Sequence, residues 1–114
     1  MITPVDLRAE RVADLAMIGA GMIAELASMF RSQVDADLPP LLEAIRGQKA
    51  GDVERIAHRL KGSASQMGME ILTAYLEIFI GLARIGEVGH AQALVPGFRD
   101  ALLRAQAEFD AVAR

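Results

Sequence analysis

Apolar residues recur at every third or fourth position along four segments of this 114-residue chain, and this spacing places them on one face of a helix. The β-branched residues are scattered and never alternate with polar residues over the length of a strand. Many of the remaining positions hold Ala, Leu, Glu, Met, Gln or Arg, which lose little side-chain freedom in a helix. The sequence therefore predicts an all-α protein.

The four segments are long enough for helices and are joined by short connections. Their inward-facing residues are predicted to be Ile23, Leu26, Phe30, Val34, Leu38, Leu41 and Ile45; Val53, Ile56, Ala57, Leu60, Ala64 and Met67; Leu72, Leu76, Phe79 and Ala83; and Leu94, Phe98, Leu102, Ala105, Phe109 and Val112. Such helices pack most simply as an antiparallel up-down four-helix bundle, here a single domain over residues 1–114. Thr3-Pro4 is a typical helix start and predicts a short additional N-terminal helix from Pro4 to about Met17.

The sequence offers more than one interpretation of the first helix, and it suggests where the second helix begins. Pro39-Pro40 lies within the first apolar stripe, and proline in a helix interior removes a hydrogen bond and clashes with the preceding turn. Either the helix breaks near Asp37 or one kinked helix continues through both prolines, and the unbroken apolar phase favours the continuous helix. Asp52 follows a turn containing glycine and is a candidate N-cap for the next helix.

The composition excludes several kinds of site and partner. The chain has no cysteine, which excludes disulfides, thiolate metal sites and a cysteine nucleophile, and no metal site is expected. Its 12 Lys and Arg against 15 Asp and Glu argue against binding to nucleic acid. The uncharged run from Leu15 to Ala24 is half the length of about 20 residues that a membrane span needs, and charged residues precede it. We therefore expect a cytoplasmic protein without a membrane anchor.

His58 is the most informative residue of the chain. On a helix it shares a polar stripe with Glu54, Lys61, Gly62 and Ser65. Imidazole is partly neutral and nucleophilic near pH 7, and an ammonium three residues on can offset the charge of a phosphoryl group attached to the ring. Glycine in a helix costs about 1 kcal/mol relative to alanine, so its place beside the histidine suggests clearance for a partner.

Each of these residues also has an ordinary interpretation. A single histidine or lysine on a helix is usually a solvated surface residue, and Gly62 could serve a packing contact between helices. A hydrolase-like relay of Glu54, His58 and Lys61 is rejected, because no serine nucleophile or oxyanion pocket is evident. His90 has no lysine or glycine at matching positions and is interpreted as a surface residue.

The string Ala57-His58-Arg59-Leu60-Lys61-Gly62-Ser63-Ala64, followed by Gly68, closely resembles the signature of histidine-containing phosphotransfer (Hpt) domains. The resemblance covers roughly residues 18 to 90. It implies a four-helix bundle whose exposed histidine exchanges a phosphoryl group with the aspartate of a receiver domain in a two-component phosphorelay.

The resemblance also implies roles for individual residues. His58 would be the phosphoacceptor, Lys61 the phosphate partner and Gly62 the clearance residue, while Glu54, Ser65 and Gly68 would belong to the docking surface. Mg²⁺ would be supplied by the receiver domain, and the chain would need no cofactor of its own. One departure is Ile80, at a position where many members carry Gln or Glu.

The expected partners are receiver domains and a hybrid histidine kinase, and the protein is expected to be a monomer without autonomous kinase activity. The alternative function is a helical adaptor that binds a receiver domain or another signalling protein without taking phosphate. Ile71, Ile78 and Ile85 form a second apolar stripe, which we expect to pack on the last helix; otherwise it would be an exposed patch for a receiver or a second copy. Five of the six methionines, Met17, Met22, Met29, Met67 and Met69, are expected to fill the core or its edges.

Overall fold

The structure, a computed structural model, describes residues 20–113. That part of the chain contains helices and no strand, as predicted. The elements are α1 (Ala20–Arg46), α2 (Ala50–Gln66), α3 (Glu70–Arg84), a 3-10 segment (Val88–Leu94) and α4 (Val95–Ala113). The additional helix predicted from Pro4 to Met17 lies outside the described residues.

The four α-helices pack as the predicted antiparallel bundle. Short connections join α1 to α2 and α2 to α3, and α4 closes the bundle by packing against α1 and α3. Nearly all the predicted inward residues form one buried cluster, with Leu26, Leu38, Met67, Leu94 and Val112 partly buried at its edges. No helix in the described part is long and apolar enough to cross a bilayer.

Helix α1 continues through Pro39 and Pro40, which confirms the continuous helix. Both proline rings are on the exposed face, so neither ring enters the core. The phase of the buried stripe differs slightly from the predicted one, because Asp37 is 6% exposed whereas Leu38 is only half-buried. A carboxylate therefore occupies a core-facing position in the middle of α1.

The start of α2 differs from the prediction that Asp52 is its N-cap. The helix begins at Ala50, and Lys49 occupies the capping position without a side-chain hydrogen bond. Gln48 adopts a positive φ of 54°, which turns the chain back so that the Lys49 N–H donates to the Ala44 carbonyl over 2.9 Å. Asp52 lies in the first turn, where a negative charge is favoured by the helix dipole.

Glycines with positive φ end the next two helices. Gly68 (φ 75°) follows α2 and Gly86 (φ 74°) follows α3, in a conformation that costs glycine little. The backbone then folds back, with the Met69 N–H donating to the Ala64 carbonyl and the Glu87 N–H to the Leu82 carbonyl. These tight ends keep α2 and α3 side by side.

Several residues that we expected in the core are exposed. Ile78 and Ile85 are 47 and 70% exposed, so the prediction that they pack on the last helix is wrong. Ile71 is 36% exposed and borders a groove that it shares with residues of α4. The inward face of α3 is already filled by Leu72, Leu76, Phe79, Ile80 and Ala83.

The methionines divide in the same way. Met69 is fully buried and Met67 is partly buried against the core, whereas Met22 and Met29 are 53 and 66% exposed, contrary to prediction. Met17 lies outside the described residues.

Gly97, near the start of α4, lies against the Tyr75 side chain of α3. A Cβ at this position would lie 2.3 Å from the Tyr75 hydroxyl oxygen and 3.1 Å from Cζ. Tyr75 packs edge-on against Phe98, with ring centroids 6.2 Å apart. Glycine at position 97 therefore allows α3 and α4 to approach closely.

We expect Gly97→Ala to lower the free energy of unfolding by about 1–3 kcal/mol, because the Tyr75 side chain must shift away from the new Cβ. Gly81→Ala is the matched control, since Gly81 is in α3 and a Cβ there meets nothing within 4 Å; this variant is expected to gain up to about 1 kcal/mol of stability. Urea unfolding measures both, and equal effects of the two substitutions would contradict the close approach at Gly97.

Candidate functional site

His58 lies near the middle of α2 with its side chain exposed. The opposite face of the helix is held in the core by Val53, Ile56, Ala57, Leu60 and Ala64, all buried. None of the described side chains forms a hydrogen bond or ion pair with the imidazole. The ring is therefore accessible from solvent, as nucleophilic chemistry with a second protein requires.

Lys61 lies one helical turn beyond His58 and faces α3. Its Nζ is 3.7 Å from Oε1 of Glu77, and the two side chains are 35 and 58% exposed. An ion pair of this length and exposure contributes little to stability. The ammonium can therefore exchange Glu77 for another anion near the imidazole at small cost.

Glu54 lies one turn before His58 and also faces α3. Its carboxylate accepts a hydrogen bond of 2.8 Å from Nε of Arg84. The carboxylate is thus paired with a guanidinium rather than with the imidazole, which agrees with the rejection of a hydrolase-like relay. Two ion pairs between α2 and α3 flank His58, one on each side along the helix.

Gly62 and Ser65 continue the exposed face of α2 beyond His58. A Cβ at Gly62 would meet nothing within 4 Å, so the glycine does not serve a packing contact between helices. Gly51, seven residues before His58, is equally unobstructed. Between the two flanking ion pairs, the outer surface of α2 is therefore low at its glycines, and no contact within the described residues requires glycine at these positions.

Gly68 is buried, and its positive φ ends α2. It lines a shallow depression between the end of α2 and the start of α3, together with Ser65, Met69, Glu70, Thr73, Ala74 and Glu77. The structure thus places Gly68 at the floor of the surface next to Ser65, where the turn requires glycine.

On its other flank, α2 is attached to α1 by a pair that sequence reasoning missed. Arg59 donates hydrogen bonds from Nε and Nη2 to the two carboxylate oxygens of Asp37, over 3.0 and 2.7 Å. These hydrogen bonds lower the pKa of Asp37, although its burial acts in the opposite direction, and they raise the pKa of Arg59. The sequence contains a signal for this pair: Asp37 is three residues after Val34 and four residues before Leu41, and this spacing places Asp37 in the apolar stripe of α1.

A second contact lies beside this ion pair. The Ser63 hydroxyl donates to Oε1 of Gln33 over 2.6 Å, and Nε2 of Gln33 is 3.5 Å from the Arg59 carbonyl oxygen. Arg59 and Ser63 therefore connect α2 to α1 on the side opposite the ion pairs with α3.

Ile80 is 5% exposed and belongs to the core. The polar side chains by which α3 faces α2 are Glu77 and Arg84, three residues before and four residues after this position. With Glu70 they are the charged residues of α3, spaced by seven, and this spacing is the sequence signal that could have identified them.

His90, the other histidine, is on the surface as predicted; its Nε2 is 3.1 Å from a Glu87 carboxylate oxygen. Among the described residues, no group of three or more His, Cys, Asp or Glu side chains is arranged to hold a metal ion.

The family model of the Hpt domain matches residues 25–108, which is well over half of the chain. The chain belongs to the Hpt domain family. It is thereby a histidine phosphotransfer protein of the two-component phosphorelay, in which Hpt domains act with receiver domains. None of the curated proteins compared with the chain matches it.

The fold is also similar to a solved structure, histidine-containing phosphotransfer protein B (HptB) from Pseudomonas aeruginosa PAO1. The two chains share 23% sequence identity and superpose with a TM-score of 0.86. The match covers 97% of this chain and 96% of that chain. The helical bundle predicted from the sequence is therefore that of a known Hpt protein.

The ion pair of Asp37 and Arg59 leads us to predict how the stability of the fold changes at acidic pH. Because the pKa of Asp37 is lowered from its ordinary value of 3.8, the folded protein binds this proton less readily than the unfolded chain does. The stabilisation is present above that ordinary value and is lost as the pH falls through the lower pKa of the folded state.

We expect the stability of the wild type to fall more steeply below about pH 4 than that of Asp37→Asn, which has no carboxylate to protonate. Urea unfolding midpoints between about pH 2 and 7 measure this difference. Asp100→Asn changes the net charge equally at a surface position and is the control. Parallel pH profiles of Asp37→Asn and the wild type would contradict the prediction.

Proposed function

We propose that His58 is the phosphoacceptor through which this protein relays a phosphoryl group between receiver-domain aspartates. The single observation that carries the proposal is the exposed imidazole in the middle of α2, next to a glycine at which a Cβ would meet nothing within 4 Å. The helix holds the imidazole ring outward, and Gly62 beside it has no side chain that projects from the surface. A receiver domain can then bring its aspartyl phosphate to the ring without displacing any part of the bundle.

The reaction is an in-line transfer. The lone pair of an unprotonated ring nitrogen of His58 attacks the phosphorus, a P–N bond forms, and the P–O bond to the aspartate breaks. The aspartate leaves as a carboxylate with the electron pair. Transfer to the next receiver is the same step in reverse, so no oxidant, reductant or nucleotide is needed.

Lys61 is proposed as the phosphate partner. A phosphoryl group on His58 adds a charge of about −1.5 to −2 one turn away from the ammonium. Because the contact of Lys61 with Glu77 is exposed and 3.7 Å long, the ammonium is able to turn from the carboxylate to the phosphoryl oxygens. The pairing with Glu77 would hold Lys61 near the site between transfers.

Gly62, Ser65, Glu54 and Gly68 are proposed to contribute to the receiver-docking surface. Gly62 leaves space for the partner's backbone, and Ser65 and the Gly68 turn form the adjacent surface. Glu54 acts through Arg84, whose side chain is 61% exposed and extends this surface onto α3. The Mg²⁺ that neutralises charge during transfer is proposed to come from the acidic pocket of the receiver domain.

The phosphoryl donor, the cellular location and the oligomeric state can be proposed from the same role. We propose that a hybrid histidine kinase supplies the phosphoryl group, that the protein works in the cytoplasm, and that it is a monomer in dilute solution. The domain over residues 1–114 supplies positioning and charge rather than kinase activity. The interface with the receiver is expected to be below about 1,200 Å² of total buried area, as in other transient signalling encounters.

Incubation with a phosphorylated receiver domain is expected to label the wild type and to leave His58→Gln unlabelled, because Gln offers no nucleophilic ring nitrogen. The label should be labile in acid and stable in base, as a phosphoramidate is. His90→Gln is the matched control and should accept phosphate normally. Label retained by His58→Gln would show that another residue is the acceptor.

A side chain at Gly62 is expected to block the receiver without disturbing the fold. Gly62→Gln adds a better helix former at a position where nothing lies within 4 Å, so stability should not fall. Phosphotransfer is expected to fall about 10-fold or more, since small misplacements at the reacting atoms have effects of this size.

Gly21→Gln is the control: Gly21 is in α1, a Cβ there also meets nothing within 4 Å, and this variant should transfer phosphate normally. Normal transfer by Gly62→Gln would contradict the proposed clearance. If the wild type binds a phosphorylated receiver tightly but never takes the label, the adaptor function replaces phosphotransfer.

A further inference from the structure

The cations of the two helices that form the site are paired with carboxylates at different distances. The four Lys and Arg side chains of α2 and α3 have N–O distances of 2.7 Å for Arg59–Asp37, 2.8 Å for Arg84–Glu54, 3.3 Å for Arg55–Asp52 and 3.7 Å for Lys61–Glu77. The longest distance belongs to the cation that lies one helical turn from His58. Of these four cations, Lys61 is therefore the one that its carboxylate holds least closely.

The position of Glu77 is fixed by its neighbours, although its side chain is 58% exposed. Leu76 and Phe79, on either side of it in α3, are buried in the core, and α3 packs along α2. The backbone at position 77 is thus held beside α2, and the carboxylate extends from it towards Lys61. A negative charge therefore stays close to Lys61 when another anion arrives at the site.

A phosphoryl group on His58 changes the balance of charge around Lys61. Without it, the ammonium and the Glu77 carboxylate form a neutral pair. With it, a further charge of about −1.5 to −2 lies one turn from the ammonium. One cation then faces two anions, and contact of Lys61 with the phosphoryl oxygens is gained at the expense of its contact with Glu77. The carboxylate thus stabilises the free protein more than the phosphorylated protein.

We propose that Glu77 is a positioning residue that competes with the phosphoryl group for Lys61 and thereby limits how far transfer to His58 proceeds. This inference rests on the proposed function of His58 and Lys61. Transfer exchanges the P–O bond of the receiver's aspartyl phosphate for the P–N bond of His58, and Glu77 shifts this equilibrium towards the aspartate. The phosphoryl group is then held weakly enough to be passed to the next receiver.

The expected effect is moderate because the ion pair is exposed. Exposed ion pairs change equilibrium constants by up to about five-fold. Glu77→Gln removes the charge and keeps the size of the side chain, so we expect it to raise the equilibrium constant for transfer from a receiver to this protein by about two- to five-fold. The increase should become smaller as salt is added, because salt screens exposed charges.

The test measures the ratio of labelled protein to labelled receiver at the plateau of transfer, with a phosphorylated receiver domain as the donor. In dilute solution this ratio depends on the free energies of the separated proteins. A contact of Glu77 with the receiver would change the forward and reverse rates equally and leave the ratio as it is. Glu43→Gln is the matched control, since Glu43 is also exposed and pairs with Arg46 of its own helix, and it should not change the ratio.

A Lys61→Gln background tests whether Glu77 acts through Lys61. In this background the effect of Glu77→Gln on the ratio is expected to disappear, because no ammonium is left to compete for. A direct repulsion between the carboxylate and the phosphoryl group would persist there. Urea unfolding should give nearly the same stability for Glu77→Gln and the wild type, because the pair is exposed.

Three results would overturn the proposal while the wild type is labelled normally. These are a ratio that Glu77→Gln leaves unchanged, an equal change by Glu43→Gln, or an effect of Glu77→Gln that is as large in the Lys61→Gln background. A wild type that takes no label would instead overturn the proposed function of His58, and this inference with it.

Discussion

The outward position of His58 depends on the burial of the opposite face of α2. Val53, Ala57 and Ala64 are completely buried, and Ile56 and Leu60 are at most 4% exposed. A rotation of α2 by about 100° would bring His58 towards the core and carry apolar side chains into water. The hydrophobic effect thus holds the ring outward without any direct contact to it, and the ring nitrogens are left available for reaction.

The polar contacts of α2 differ between its two flanks. Towards α1, Arg59 binds the buried Asp37 through two directional hydrogen bonds, which oppose sliding of one helix along the other. Towards α3, Lys61 and Glu54 form exposed ion pairs, which contribute little to stability and can exchange partners. The rigid flank therefore positions the helix, and the adaptable flank carries Lys61, the proposed phosphate partner.

The bundle has two outward surfaces of different character on neighbouring sides of α3. Around His58 the side chains are small or charged, which suits a transient encounter guided by electrostatics. On the outer side of α3 the exposed side chains are Ile71, Ile78 and Ile85, which are apolar.

Much of the fold and of the site could be predicted from the sequence, because helical periodicity relates residues only three or four positions apart. That local relation was enough to assign the inward faces of all four helices and to place His58, Lys61 and Gly62 on the exposed face of α2. It also favoured a continuous α1 through Pro39-Pro40, since the apolar phase is the same on both sides of the prolines.

The sequence by itself therefore determined the all-α class, the core face of each helix and the stripe on which His58 lies. Only the tertiary structure decided the ion pair of Asp37 with Arg59, the role of Glu77 and Arg84 beside the histidine, and the exposure of Ile71, Ile78 and Ile85. The physical reason is that a helix has flanks as well as an inward face. Whether a flank is covered depends on a neighbouring helix that is distant in sequence, and local spacing does not specify how closely that neighbour approaches.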